Sequence, residues 1–181
     1  MRIEKSDAEL INKLEYPHNY NLTLVLAKRK NATTLSFYCY GNKVSDKCKK
    51  KIDQAIRILS SLNLPFYFTY TKRESEYVGK CNFFEVYVGK NEKCLDRIVN
   101  SETDEDLGKN YGFPRTAVRA FEKESSVSLT EFTLPEKFRN HNHFAQFVFS
   151  KEHLNREMRK VKRLAKIVKK FNPELYDYMT S

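Results

Sequence analysis

The residues of this 181-residue chain that could do chemistry are, before anything else, cations. Arg115, Arg119 and Lys123 fall in a stretch that reads as the second helix of a helical corner. Farther on, the stretch from Arg156 to Lys170 holds eight Lys or Arg against a single acid, Glu157. On a helix it would turn Arg159, Lys160, Arg163, Lys166, Lys169 and Lys170 to solvent, and a polyanion would relieve their mutual repulsion.

Composition agrees with that chemistry. The formal net charge is +10, from 33 basic and 23 acidic residues. Such a balance favours nucleic acid as partner, ahead of an anionic membrane surface. A Lys-rich surface that only keeps the chain soluble is the plainer alternative. One cluster points elsewhere: His141-Asn142-His143, followed by Glu152 and His153. Two histidines two residues apart on an extended segment could share a metal with His153, which would make a metal-dependent hydrolase or nuclease. Other catalytic patterns are missing: there is no phosphate-binding glycine loop, no G-x-S-x-G and no H-E-x-x-H. Cys39, Cys48, Cys81 and Cys94 match no zinc spacing, and Cys39 and Cys81 lie in or beside apolar strand-like runs where buried free thiols are common. No cofactor is expected, and binding is favoured over catalysis. Met1 leads into a charged segment rather than a signal peptide, and no apolar run reaches the roughly 20 residues of a membrane span. A reduced, cytoplasmic protein is expected.

The elements that must position these side chains follow from periodicity. Ser6 with Glu9 reads as a capping box opening a short helix to Leu14, broken by Tyr16-Pro17. Asn21–Ala27 and Thr34–Tyr40 are rich in strand formers and predict a hairpin across Lys28–Asn31. Ser45 caps a helix to about Leu62, with Cys48, Ile52, Ala55, Ile56 and Leu59 inward. Phe66–Thr71 and Phe83–Val88 add two strands, and Phe66, Tyr67, Phe68 and Tyr70 on the first could stack bases. Residues 1–91 thus read as a β-β-α-β-β scaffold, and 92–181 as a mainly helical half of the same domain. That half has a helix over Glu92–Asn100 and a helical corner over Thr103–Glu122. Strands at Leu129–Leu134 and Phe144–Phe149 flank a Pro135-initiated turn or helix. A long helix capped by Ser150 then runs from Lys151 to Phe171, before a last helical turn over Glu174–Met179. The fold class is α+β: a small antiparallel sheet with a covering helix, a helical corner and a long basic C-terminal helix.

Within the corner, Leu107, Tyr111, Phe113, Val118 and Phe121 supply apolar contacts, Gly108 is the small residue at the crossing, Gly112 the turn, and Pro114 opens the second helix. Across these twenty or so residues the chain resembles the helix-turn-helix DNA-binding domains. The resemblance implies that Arg115, Thr116, Arg119 and Lys123 project towards DNA, where Arg can pair bidentately with guanine and Thr can touch a phosphate or a thymine methyl. The run LGKNYGFPRTAVRAF with the later HFAQFVFSKEHLNREM also resembles a family of uncharacterised archaeal proteins, marked by LG-x-x-x-GYP and a cysteine pair. Thr116 and Ala117 stand where that pair would fall, so no cysteine chemistry carries over. The expectation is a non-enzymatic nucleic-acid-binding protein, DNA favoured over RNA. The rivals are the histidine-based hydrolase and a protein-interaction or structural module.

Overall fold

The computed structural model describes residues 3–75, 79–123, 126–127, 141 and 143–181. It is an α+β fold. A three-stranded antiparallel sheet has the order β1-β3-β2, with β1 at Ala32–Tyr40, β2 at Phe66–Ser75 and β3 at Gly79–Gly89. The register sets Phe37 and Tyr70 on either side of Phe84, so Leu35, Phe37, Cys39, Phe84, Val86 and Val88 share one face.

The chain begins with a short helix, α1 (Lys5–Ile11), capped by Glu4 and Asp7 rather than by Ser6 and Glu9. The next segment departs from the sequence reading. Asn21–Ala27 is not a strand but most of helix α2 (His18–Leu26), so no hairpin precedes β1. A short, unbroken apolar run fits a buried helix as well as a buried strand, and periodicity cannot separate them. Here the run is buried on all sides from Asn19 to Leu26, the condition in which a helix carries no polar face. Leu22, Val25 and Leu26 pack with the sheet, while Tyr20 and Leu24 belong to a second cluster under the C-terminal helices. This one helix therefore joins the two halves of the core.

Helix α3 (Asp46–Ser61) covers the sheet face just described. The Ser45 hydroxyl accepts the Cys48 N–H, and Cys48, Ile52, Ala55, Ile58 and Leu59 face inward. Cys39 is not a free thiol: it is bonded to Cys48, with Cα atoms 6.1 Å apart, fastening β1 to the first turn of α3. Cys81 and Cys94 are free and buried.

On the opposite side of the sheet, α4 (Glu92–Val99) packs Leu95 and Ile98 on Ala32, with Tyr87 beside them. Gly89 permits that approach, since a Cβ there would sit 2.5 Å from the Leu95 nitrogen. Helices α5 (Asp104–Asn110) and α6 (Arg115–Glu122) follow as the corner. A hydrogen bond of 2.7 Å between the Tyr111 and Thr34 hydroxyls pins the corner to β1.

Where a strand over Phe144–Phe149 was expected, the backbone makes a short 3-10 turn and only Phe149–Ser150 (β5) pairs, with Ser126–Val127 (β4). The expected elements at Leu129–Leu134 and Pro135 lie outside the described residues. The long helix α7 spans Leu154–Phe171 and is followed by α8 (Pro173–Thr180). Met158, Val161, Ala165 and Val168 of α7 are buried with Phe144 and Phe149. Asn172 closes the fold: it accepts the Leu175 N–H, exchanges hydrogen bonds with Asn12, and donates to the Thr23 hydroxyl. No helix among the described residues is long and apolar enough to cross a membrane.

Candidate nucleic-acid interface

The corner takes its shape from two glycines. Gly112 has φ +73°, a left-handed conformation that suits glycine. Gly108 lies where the helices cross, and a Cβ on it would come within 2.8 Å of Val118 Cγ2. Pro114 is the N-cap of α6, with Arg115 as its first helical residue. Burial of Ala117, Val118 and Ala120 leaves Arg115, Arg119 and Lys123 exposed. At about 100° per residue the three fall within roughly 80° of one another around the helix. Acids precede them on α5, but Lys109 bridges Glu105 at 2.7 Å and Asp106 at 3.8 Å, offsetting both. The Glu105 hydrogen bond correspondingly raises the Lys109 pKa.

Thr116 does not join that exposed set. It lies about 100° from Arg115 around the helix, and its hydroxyl donates to the Glu157 carboxylate. Glu157, only 1% exposed, also accepts the Ser150 N–H at 2.9 Å. Ser150 is accordingly a β5 residue anchored to α7 rather than its cap, and His153 caps the helix three residues later than expected. Lys160 is turned inward too. Half-buried, it donates from Nζ to the Gly112 carbonyl, and desolvation lowers its pKa. Two residues expected on the binding surface thus fasten the corner to α7.

The remaining basic residues of α7 sort by angle. Arg159, Arg163, Lys166 and Lys170 are exposed within about 60° of arc. Arg156, left out of the sequence-derived set, extends the row by one turn; its spacing of three and seven residues from Arg159 and Arg163 was the available signal. The row runs about 21 Å at 1.5 Å per residue. Lys169 departs from it, its ammonium 5.1 Å from the Tyr176 ring of α8. Because the one acid of the segment is buried, the outer face from Arg156 to Lys170 is cationic throughout. Among the described residues no salt bridge joins Arg156, Arg159, Arg163, Lys166 or Lys170 to a carboxylate.

The histidines do not assemble. His141 is half-buried in the 3-10 turn with its pKa lowered by desolvation and then by Lys162. His143 and His153 are exposed. Among the described residues, no group of three or more His, Cys, Asp or Glu is placed to hold a metal ion. The aromatic strand is divided between the two faces of the sheet. Phe68 and Tyr70 lie 5.8 and 4.8 Å from Phe84 on the α3 side, and Phe66 packs on the same core, while Tyr67 is exposed on the other face.

No family model, curated protein or solved structure matches the chain.

A feature absent from the sequence reading lies behind the corner. Lys30, 7% exposed, donates to Asn21 Oδ1, approaches Gln146 Oε1 at 3.5 Å, and lies 5.7 Å from the Phe113 ring centre. Desolvation, and then the nearby Lys160, depress its pKa to about 7. Its position in a polar loop, Lys28–Asn31, gave no hint of burial.

Proposed function

We propose that the protein binds nucleic acid, duplex DNA in preference to RNA, through the outer face of α7 together with the exposed cations of α6. The observation that carries this reading is the inward turn of Glu157, which leaves Arg156, Arg159, Arg163, Lys166 and Lys170 as one exposed row with no acid in it. Such a row costs self-repulsion in the free protein and gains by releasing counterions from a phosphate backbone. Arg115, Arg119 and Lys123 add a second group on α6. A helix fits the major groove of B-form DNA, whereas the deep, narrow groove of A-form RNA excludes it, hence the preference for DNA. We read the setting as cytoplasmic.

The test is binding of a labelled random-sequence duplex, read by fluorescence anisotropy. Replacing Arg159, Arg163, Lys166 and Lys170 together by Gln leaves the circular dichroism spectrum unchanged and weakens binding by at least about a hundredfold at low salt. Arg115→Gln with Arg119→Gln weakens it less. Unchanged affinity in the fourfold variant would overturn the assignment.

A further inference from the structure

Between α5, α6 and residues 146–148 lies a cavity of about 310 Å³. Four aromatic rings line it: Tyr111, Phe113, Phe121 and Phe147. Three of them form a chain, with centroids 5.5 Å apart from Tyr111 to Phe113 and 5.7 Å from Phe113 to Phe147. Phe121 is 51% exposed and stands at the rim, where a ligand could reach it. The volume is at the small end of ligand sites, suited to a flat molecule of one or two rings.

Polar groups in the lining are few. The Tyr111 hydroxyl is already engaged with Thr34, which leaves Asp104 and Gln146. Gln146 is oriented from behind by Lys30, whose ammonium approaches its carbonyl oxygen. Asp104 is exposed in the first turn of α5 and forms no ion pair among the described residues. A carboxylate is an acceptor only, so its complement is a ligand edge that donates N–H. Aromatic rings tilted at 40° and 44° to one another, a small volume, an exposed acceptor carboxylate and the buried Gln146 amide nitrogen, which has no hydrogen-bond partner among the described residues, together suit a nitrogen heterocycle carrying an amino group.

We infer that this cavity binds a purine base, packed against the rings of Phe113, Phe147 and Tyr111 with its amino-bearing edge turned to Asp104. The base could arrive as a free nucleoside or as an unpaired residue of a bound strand; the second source rests on the nucleic-acid reading above, the first does not. Aromatic stacking and hydrogen bonding to a base edge are how proteins hold a base removed from its helix.

Methyl NMR of Leu107, Val118 and Val148, which also line the cavity, reads occupancy directly through ring-current shifts. Titration with guanosine and adenosine is expected to move these signals saturably. Purine riboside, whose base is the same size but carries no N–H, binds about tenfold or more weakly, the cost of one hydrogen bond to a charged acceptor. Asp104→Asn weakens both purines about tenfold and leaves the spectrum of the free protein otherwise unchanged. Ala117→Leu, which fills part of the cavity, abolishes nucleoside shifts; should it unfold, Phe121→Ala at the exposed ring serves instead and weakens both purines. A single-stranded oligonucleotide with one guanine in a run of thymines separates the sources: it moves the same methyl signals if a strand can deliver its base, and only the free nucleoside moves them if not. Static methyl signals with both purines, equal binding of purine riboside, or an Asp104→Asn variant as tight as wild type would overturn the inference. Nucleoside binding without duplex affinity would sink the nucleic-acid reading and leave this one standing.

Discussion

Replacing Lys30 by Met should change how stability depends on pH, because the folded protein holds this amine far from its solution state. Its pKa falls from 10.5 to about 7, chiefly because burial removes its hydration, and secondly because Lys160 lies near. The unfolded chain therefore binds a proton below pH 10.5 that the folded one does not take up until about pH 7. A depressed lysine disfavours the folded state by an amount that grows as pH falls from 10.5 and levels off below about 7. At about 1.36 kcal/mol per pH unit, the full cost is roughly 4–5 kcal/mol. Between pH 7 and 9.5, wild-type stability should climb at up to about 1.4 kcal/mol per pH unit, Lys160 adding to the rise in the same direction.

The window has natural limits. Burial lowers the His18 pKa, so a further loss of stability appears as pH falls below the ordinary imidazole value of 6.5. Burial raises the pKa of Tyr20, and Tyr87 is pushed up to about 12, so stability declines once pH exceeds the ordinary tyrosine value of 10.0. Urea unfolding at intervals from pH 7 to 9.5 measures the slope between those effects. Lys30→Met should remove most of it. At pH 7 the variant should be more stable by about 1–4 kcal/mol, the lost cost of the amine less the roughly 1–3 kcal/mol of leaving Asn21 Oδ1 unpaired. A wild-type curve that is flat over this range, or a slope undiminished in Lys30→Met, would refute the account of the buried lysine.

Three further changes probe the corner and its anchorage. Thr116→Val removes a hydrogen bond to the buried Glu157 carboxylate and should cost about 1.5–3 kcal/mol in urea unfolding while leaving duplex affinity unaltered; a loss of affinity at full stability would return Thr116 to the binding surface. Gly112→Ala forces a side chain into a left-handed turn without a steric clash, for an expected loss of about 1–2 kcal/mol by thermal melting; a neutral result would contradict the turn geometry. Thiol titration of the denatured, unreduced protein should count the two free cysteines, Cys81 and Cys94, and reduction should lower stability by about 2–3 kcal/mol for so short a loop; four reactive thiols would show the pair unbonded.

The elements legible from sequence were those whose burial is one-sided. In α3 and α7 polar residues mark the outer face, and in β2 and β3 dense aromatic and β-branched runs mark strands. The corner was readable because Gly108 and Gly112 have few substitutes at a tight crossing and a left-handed turn. Helix α2 was not, since burial on every side erases the 3.6-residue period that separates helix from strand. Exposure of the basic side chains was legible where it depends on position along one helix: Arg115 with Arg119, and Arg159, Arg163, Lys166 and Lys170. It was misread where a side chain answers to another element. Thr116 reaches Glu157, and Lys160 reaches the Gly112 carbonyl, contacts separated by more than forty residues of chain that no local pattern records. The cavity beside the corner arises the same way, because Phe147 and Gln146 meet α5 and α6 only after the chain has folded back.

The charge row on α7 is tested most directly by the dependence of duplex affinity on salt. If Arg159, Arg163, Lys166 and Lys170 each neutralise a phosphate, the plot of log K against log salt loses about 0.9 in slope for each, so the fourfold Gln variant should be shallower than wild type by roughly 3.6. Equal slopes in the two proteins, with or without a difference in affinity, would contradict the account.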